Sequence, residues 1–232
     1  MNGFKETETF DFVGPAGRIE AILNLPPSGV QPQAGAVICH AHPLHGGMMH
    51  FKVLFRAARA LQSKDVAVLR FNFRGVGRSG GAHDHGVGEQ EDARAGLDEM
   101  ERRWPGLPLI LGGFSFGSAM AAKVAVSDAR VKAVLLLGFP ITRLDSTADL
   151  ALVHQPRLFV QGGDDEFGSG PAIRDLVSTL PEPKRLEVIE GADHFFTGRL
   201  HELQTPIEDW AATHPWAFMT ISRLRPTEMG NV

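Results

Sequence analysis

Three residue types in a telling order invite a nucleophilic reading of this chain. A serine sits between two glycines in Gly113-Phe114-Ser115-Phe116-Gly117, a carboxylate pair follows at Asp164-Asp165, and a histidine comes last at His194. A serine hydroxyl is a poor nucleophile until a base takes its proton. An imidazole can be that base, and a carboxylate behind it holds the right tautomer and stabilises the imidazolium. The surroundings of Ser115 suit the task. The apolar run Leu107 to Leu111 reads as a buried strand, and Ser118 to Val126, rich in small residues, reads as a tightly packed helix. Strand, sharp turn and helix together turn G-x-S-x-G into a device that pushes the hydroxyl out above a sheet edge. A side chain at 113 or 117 would crowd that turn. The first N–H groups of the helix, with its positive dipole end, then face the oxygen on which charge develops.

The elements that must hold these residues follow from the hydrophobic pattern. Thr7 to Val13 and Arg18 to Leu25 read as a hairpin about Gly14-Pro15-Ala16-Gly17. Ala36 to His40, Val66 to Phe71, Val131 to Leu137, Arg157 to Val160 and Arg185 to Ile189 read as further strands. The continuous apolar run Ala36 to His40 suits a strand buried on both faces. Helical stretches separate them: one carries the stripe Phe51, Leu54, Phe55, Ala58 and Leu61, a second the stripe Ala93, Leu97, Met100 and Trp104. Pro171 to Leu180 is a third, and Gly198 to about Ala212 a last one, with Pro206 the place where an interruption would fall. Strand alternating with helix calls for a mostly parallel sheet covered on both faces. Right-handed crossovers collect the loops after the strands on one edge, where ligands bind. Ser115, the Asp164-Asp165 pair and His194 each follow a strand and so share that edge. Asp165 and Asp164 point in different directions, so one alone should reach the imidazole. Asp145 and Asp149, after the preceding strand, remain as alternatives. Asp193 adjoins the histidine and could hardly reach around to its ring.

On these stretches the chain resembles the α/β-hydrolase superfamily, and within it the small lidless serine hydrolases of bacteria, esterase-like or dienelactone-hydrolase-like. The resemblance covers about residues 10 to 210. It is carried by His40-Ala41-His42-Pro43-Leu44-His45-Gly46-Gly47, by Arg70-Phe71-Asn72-Phe73-Arg74-Gly75-Val76-Gly77-Arg78-Ser79, by the turn at Ser115, by Gln161-Gly162-Gly163-Asp164-Asp165-Glu166-Phe167, and by Gly191-Ala192-Asp193-His194-Phe195-Phe196. It implies an α/β-hydrolase fold with a mostly parallel sheet, an N-terminal antiparallel hairpin and no cap domain. It also implies a Ser115, Asp165, His194 triad, because the acid of such proteins usually stands three positions after the glycine leaving its strand, here Gly162. The backbone N–H groups of Phe116 and His42 would form the oxyanion hole. Ala41 stands where glycine is commonest.

Size and composition narrow the rest. The 232 residues are expected to form a single α/β domain with a core from about 10 to 212 and a C-terminal tail over 213–232. A net charge of -4 without a basic run argues against nucleic acid as partner. No apolar stretch approaches the roughly 18 residues of a membrane span, and a cytoplasmic location is expected. The lone Cys39 excludes an intrachain disulfide and reads as a buried thiol. His40, His42, His45 and His50 lack the intervening carboxylates or thiols of a metal site, so no metal or other cofactor is expected. His83 and His85 read as solvated. Arg74 and Arg78 read as turn braces, and Ser79 as structural. Leu44, Phe139, Phe167 and Phe195 are the candidate walls of a substrate pocket. Gly138 to Gln155 is too short for a folded cover, so short acyl chains are expected. The function expected is hydrolysis of a small carboxylic ester or thioester through a Ser115 acyl-enzyme. The alternatives are a peptidase or amidase of the same fold, and a non-catalytic binding protein. Nothing in the residues indicates an oligomeric state.

Overall fold

A computed structural model describes residues 5–143 and 147–217. Among these residues eight strands form one sheet: β1 Lys5–Gly14, β2 Gly17–Pro27, β3 Ala34–Cys39, β4 Val66–Phe71, β5 Leu109–Phe114, β6 Val131–Leu137, β7 Arg157–Gly162 and β8 Lys184–Ile189. Their spatial order is β1-β2-β4-β3-β5-β6-β7-β8. The β1–β2 and β2–β4 pairs are antiparallel, and every other pair is parallel. This is the α/β-hydrolase fold expected from the sequence. The physical reason lies in the strand compositions. β3, β4, β5 and β7 are buried at every residue, as strands covered on both faces must be. β8, at the edge, is half-buried and carries Lys184, Arg185 and Glu187, charges that discourage a further strand from pairing there.

Among the described residues, six α-helices cover the sheet: α1 Lys52–Gln62, α2 Val87–Arg103, α3 Phe116–Ser127, α4 Thr147–Leu150, α5 Gly170–Thr179 and α6 Gln204–Ala212. Buried residues of α2, α3, α4 and α5 share one apolar core with Val37, Leu69, Leu111 and Leu136. Those of α1 and α6 share the opposite core with Ile38, Val68, Ile110 and Leu135. Adjacent strand residues thus feed opposite layers, as the two-residue repeat of a strand demands.

The starts of β5 and α6 differ from the sequence reading. β5 begins at Leu109 and continues through the glycines to Phe114, because the sheet ladder to β6 extends that far. α6 begins only at Gln204, after a run of single turns such as Glu202 N to Arg199 O. Pro206 does not interrupt it, since it stands in the first turn, where N–H groups have no helical acceptor. The segment between β6 and β7 carries, among its described residues, the four-residue α4, with no folded cover. Asp145 and the tail from 218 onward lie outside the described residues.

Candidate active site

The site is built where β5 turns into α3. Ser115 has φ 55° and ψ -121°, a left-handed backbone that a side chain adopts only under constraint. The constraint is visible on both sides. Its N–H donates to Leu137 O of β6 at 2.9 Å, and its carbonyl accepts from Ser118 N at 2.9 Å and Ser118 Oγ at 2.6 Å. The flanking glycines are needed, one for a reason the sequence did not reveal. A Cβ at Gly113 would lie 2.3 Å from the carbonyl carbon of Gly117, crowding the turn as expected. A Cβ at Gly117 would instead strike the end of β3, 2.3 Å from Cys39 O and 2.5 Å from His40 O. Gly117 therefore lets the loop after β3 come down beside Ser115.

The loops after β7 and β8 bring the other two residues. Gly162 has room only for hydrogen, since a Cβ there would lie 2.5 Å from Ala192 O. The loops are then tied by Asp164 N to Ala192 O at 2.9 Å. His194 Nε2 lies 2.9 Å from Ser115 Oγ, and His194 Nδ1 lies 2.7 Å from Asp165 Oδ2. A carboxylate only accepts, so Nδ1 carries the proton and Nε2 is left to accept from the serine hydroxyl. His194 and Asp165 are 3% and 1% exposed. Among the adjacent candidates, Asp164 is exposed and turned away, Asp149 pairs with Lys123, and Asp193 uses Oδ1 to cap Phe195 N and Thr197 N.

Gln161 was not legible as a site residue. Its Nε2 donates to Asp165 Oδ2 at 2.7 Å and to Gly168 O at 2.9 Å, while its Oε1 accepts from Phe139 N. With Phe167 N on Asp165 Oδ1, these bonds fix the carboxylate in place behind the imidazole. The available signal was a glutamine directly after the apolar run Leu158-Phe159-Val160, where a polar side chain entering the interior needs partners.

The loop after β3 lies beside Ser115 and carries the candidate oxyanion donor His42 N. Phe116 is the first residue of α3, so its N–H has no helical acceptor, and His42 N has no acceptor among the described residues. His40 holds this loop. Its Nδ1 donates to Ala41 O at 2.6 Å, and Phe73 N donates to its Nε2 at 3.0 Å. Ala41 O belongs to the same peptide unit as His42 N, so His40 sets the plane of that donor. Burial pushes the His40 imidazole down to about 4. Ala41 is not among the residues of positive φ, which is why alanine serves here in place of glycine. The His42 ring packs against His45, His83 and Phe116 at 4.6, 4.8 and 4.9 Å between centroids. Burial and the neighbouring imidazoles of His83 and His45 hold His42 below its usual value.

A cleft of about 310 Å³ opens over Ser115, and Phe116, Pro140, Arg143, Phe167 and Phe195 are among its walls. Phe167 and Phe195 line it as expected, and two other candidates do not. Phe139 is fully buried against Phe159, because its strand-end position points it into the core. Leu44 is 68% exposed on the short turn Pro43–His45, outside the cleft. Arg143, which the sequence did not single out, reaches the cleft while stacked on Phe167 at 4.9 Å. His83 departs from its solvated reading: its side chain is mostly buried, with Nδ1 2.8 Å from Glu89 Oε1. Arg74 pairs with Asp92, and Arg78 with Asp11 and Glu20. Ser79 bridges Asn72 O and Glu20 N. Cys39 is buried, which pushes its thiol above the ordinary range. Among the described residues no group of three or more His, Cys, Asp or Glu is placed to hold a metal ion, and no helix is long and apolar enough to cross a membrane.

Comparison with known proteins bears on the family and the fold. Residues 34–216 match the family described as an alpha/beta hydrolase domain. An uncharacterised protein of Rickettsia prowazekii is 36% identical over 211 residues, 87% of each chain. An alpha-beta serine hydrolase homologue from Coxiella burnetii superposes with a TM-score of 0.82 at 39% identity, over 87% of this chain and 96% of that one. A serine hydrolase without a lid from Xanthomonas campestris superposes with a TM-score of 0.82 at 33% identity, over 90% and 95% of the two chains. Fold, sheet order and sequence together place this chain in the α/β-hydrolase family, among its lidless members.

Proposed function

We propose that this protein hydrolyses a small carboxylic ester or thioester through an acyl-enzyme on Ser115. One observation carries the reading: the continuous hydrogen-bond line from Ser115 Oγ through His194 to Asp165, at 2.9 and 2.7 Å. In the first half-reaction Ser115 Oγ attacks the acyl carbon as His194 Nε2 takes the hydroxyl proton. The carbonyl oxygen becomes an oxyanion facing the N–H groups of Phe116 and His42. The tetrahedral adduct collapses, the bond to the leaving oxygen or sulfur breaks, and His194 returns its proton to that atom. Water then repeats the sequence: His194 takes its proton, the hydroxide adds to the acyl carbon, and the acid leaves as Ser115 regains its proton. Asp165 stays ionised throughout and balances the imidazolium.

A cleft of about 310 Å³ suits a short acyl group with a small leaving group better than a length of peptide, which argues against a peptidase. The same size supports a preference for acyl chains of roughly C2 to C6, since few methylenes find cover. The test is labelling with a fluorophosphonate, followed by a panel of p-nitrophenyl esters, thioesters and amides. Wild type should label and turn over the esters. Ser115→Ala should stay folded, fail to label, and lose on the order of 10^4-fold in turnover. Undiminished turnover by Ser115→Ala would overturn the mechanism, and faster cleavage of amides than of esters would overturn the substrate class.

A further inference from the structure

A second cavity adjoins the reaction cleft, and Phe195 is the residue common to both. This annex of about 510 Å³ is lined chiefly by Met48, Phe51, Val53 and Leu200 together with Phe195, and His50 and Lys52 stand among its polar lining. It is not part of the catalytic line. Its lining is largely apolar and meets that of the cleft at Phe195. The surroundings of that ring explain its position. Asp193 Oδ1 accepts from Phe195 N at 3.1 Å and from Thr197 N at 2.8 Å, which locks the backbone directly after His194. Phe196 has φ 54° and is fully buried, so the chain cannot slide there without breaking the core. The Phe195 ring rests against Phe51, Phe114 and His194 at 5.9, 6.1 and 5.2 Å. It is nevertheless 45% exposed, and Met48 at the annex is 44% exposed. Phe195 at the boundary and Met48 in the annex thus leave apolar surface open on which an alkyl chain could lie.

We propose that Phe195 sets the acyl-chain limit of this enzyme, by closing the cleft at Ser115 off from an apolar annex that would otherwise extend it. The ligand class of the annex is the unbranched alkyl chain of a medium-chain acyl group. The inference rests on the ester-hydrolase reading above. With Phe195 in place, a chain longer than about six carbons meets the ring and turns back into solvent. With the ring removed, the chain continues along Phe51 and Met48. Each methylene so buried is worth roughly a fourfold gain in kcat/KM, so a decanoyl chain gains well over tenfold on an acetyl group.

The experiment measures kcat/KM over p-nitrophenyl esters from acetate to laurate. Wild type should peak at C4 to C6. In Phe195→Ala the ratio of decanoate to acetate should rise tenfold or more, with the maximum at C8 or beyond. Adding Met48→Asp to Phe195→Ala places a charge in the annex and should reverse that gain. An unchanged profile in Phe195→Ala overturns the proposal, as does a gain that survives Met48→Asp, because the chain would then run elsewhere. Equilibrium binding of decanoate to Ser115→Ala, with and without Phe195→Ala, decides the same point without turnover. Tighter binding by tenfold or more in the double variant supports the partition, and equal binding refutes it. Should no ester be hydrolysed by any form, the hydrolase reading fails, while the binding measurement still judges the annex.

Discussion

His40 makes a quantitative prediction possible, because its tautomer is held from both sides. Nδ1 donates to Ala41 O and Nε2 accepts from Phe73 N. Adding a proton at Nε2 would set two N–H groups against each other in a buried site. Burial accordingly lowers the imidazole to about 4 from the usual 6.5. The sign follows from proton counting. Below 6.5 the unfolded chain binds a proton at this position and the native state does not, so native stability falls as pH falls from 6.5 towards 4. Above 6.5 both states are neutral there and the contribution is constant. With these two values, native stability falls by about 2 kcal/mol between pH 7 and pH 5 on account of this one group. The assay is urea unfolding of wild type and His40→Gln at pH 7 and pH 5. The carboxylates held below their usual values, such as Glu20 and Glu89, and the lowered His42 imidazole titrate in both proteins and cancel in the difference. His40→Gln should be less stable at pH 7, because it disturbs two buried hydrogen bonds, yet it should lose about 2 kcal/mol less than wild type on acidification. Parallel losses in the two proteins would refute the reasoning.

Two further outcomes are expected. Asp165→Asn should lower kcat by roughly 10^2 to 10^4, whereas Asp164→Asn should cost under about tenfold, since Asp164 is exposed and meets its neighbour through the backbone; the reverse ranking in steady-state kinetics would reassign the acid. Gly117→Ala should destabilise the fold by about 3 kcal/mol, because its Cβ would stand 2.3 Å from a backbone oxygen that cannot move alone; a thermal melt within a degree of wild type would show that the two loops are not packed as described.

The chemistry of this protein is written locally, and local signals are what a sequence carries. Gly113-Phe114-Ser115-Phe116-Gly117 after an apolar run determines a strained turn with an exposed hydroxyl, because backbone sterics at that turn depend on residues adjacent in the chain. The alternation of buried strands and helices likewise determines the parallel sheet, and with it the edge that Ser115, Asp165 and His194 share. The choice between Asp165 and Asp164 was open on residue type alone. Tertiary packing separates the two: Gln161 and Phe167 N hold the Asp165 carboxylate inward beside His194, and Ala192 O takes the backbone N–H of Asp164. The function of Gly117 is decided by the end of β3, about 77 residues away in the chain, whose carbonyls come down onto it. Phe139 and Leu44 read as pocket walls because each stands near a strand end. Side-chain direction there depends on the layer each loop enters, and this sends Phe139 into the core and Leu44 into solvent. The buried roles of His83 and His40 and the shared wall at Phe195 are properties of packing between segments remote in sequence, which no periodicity encodes.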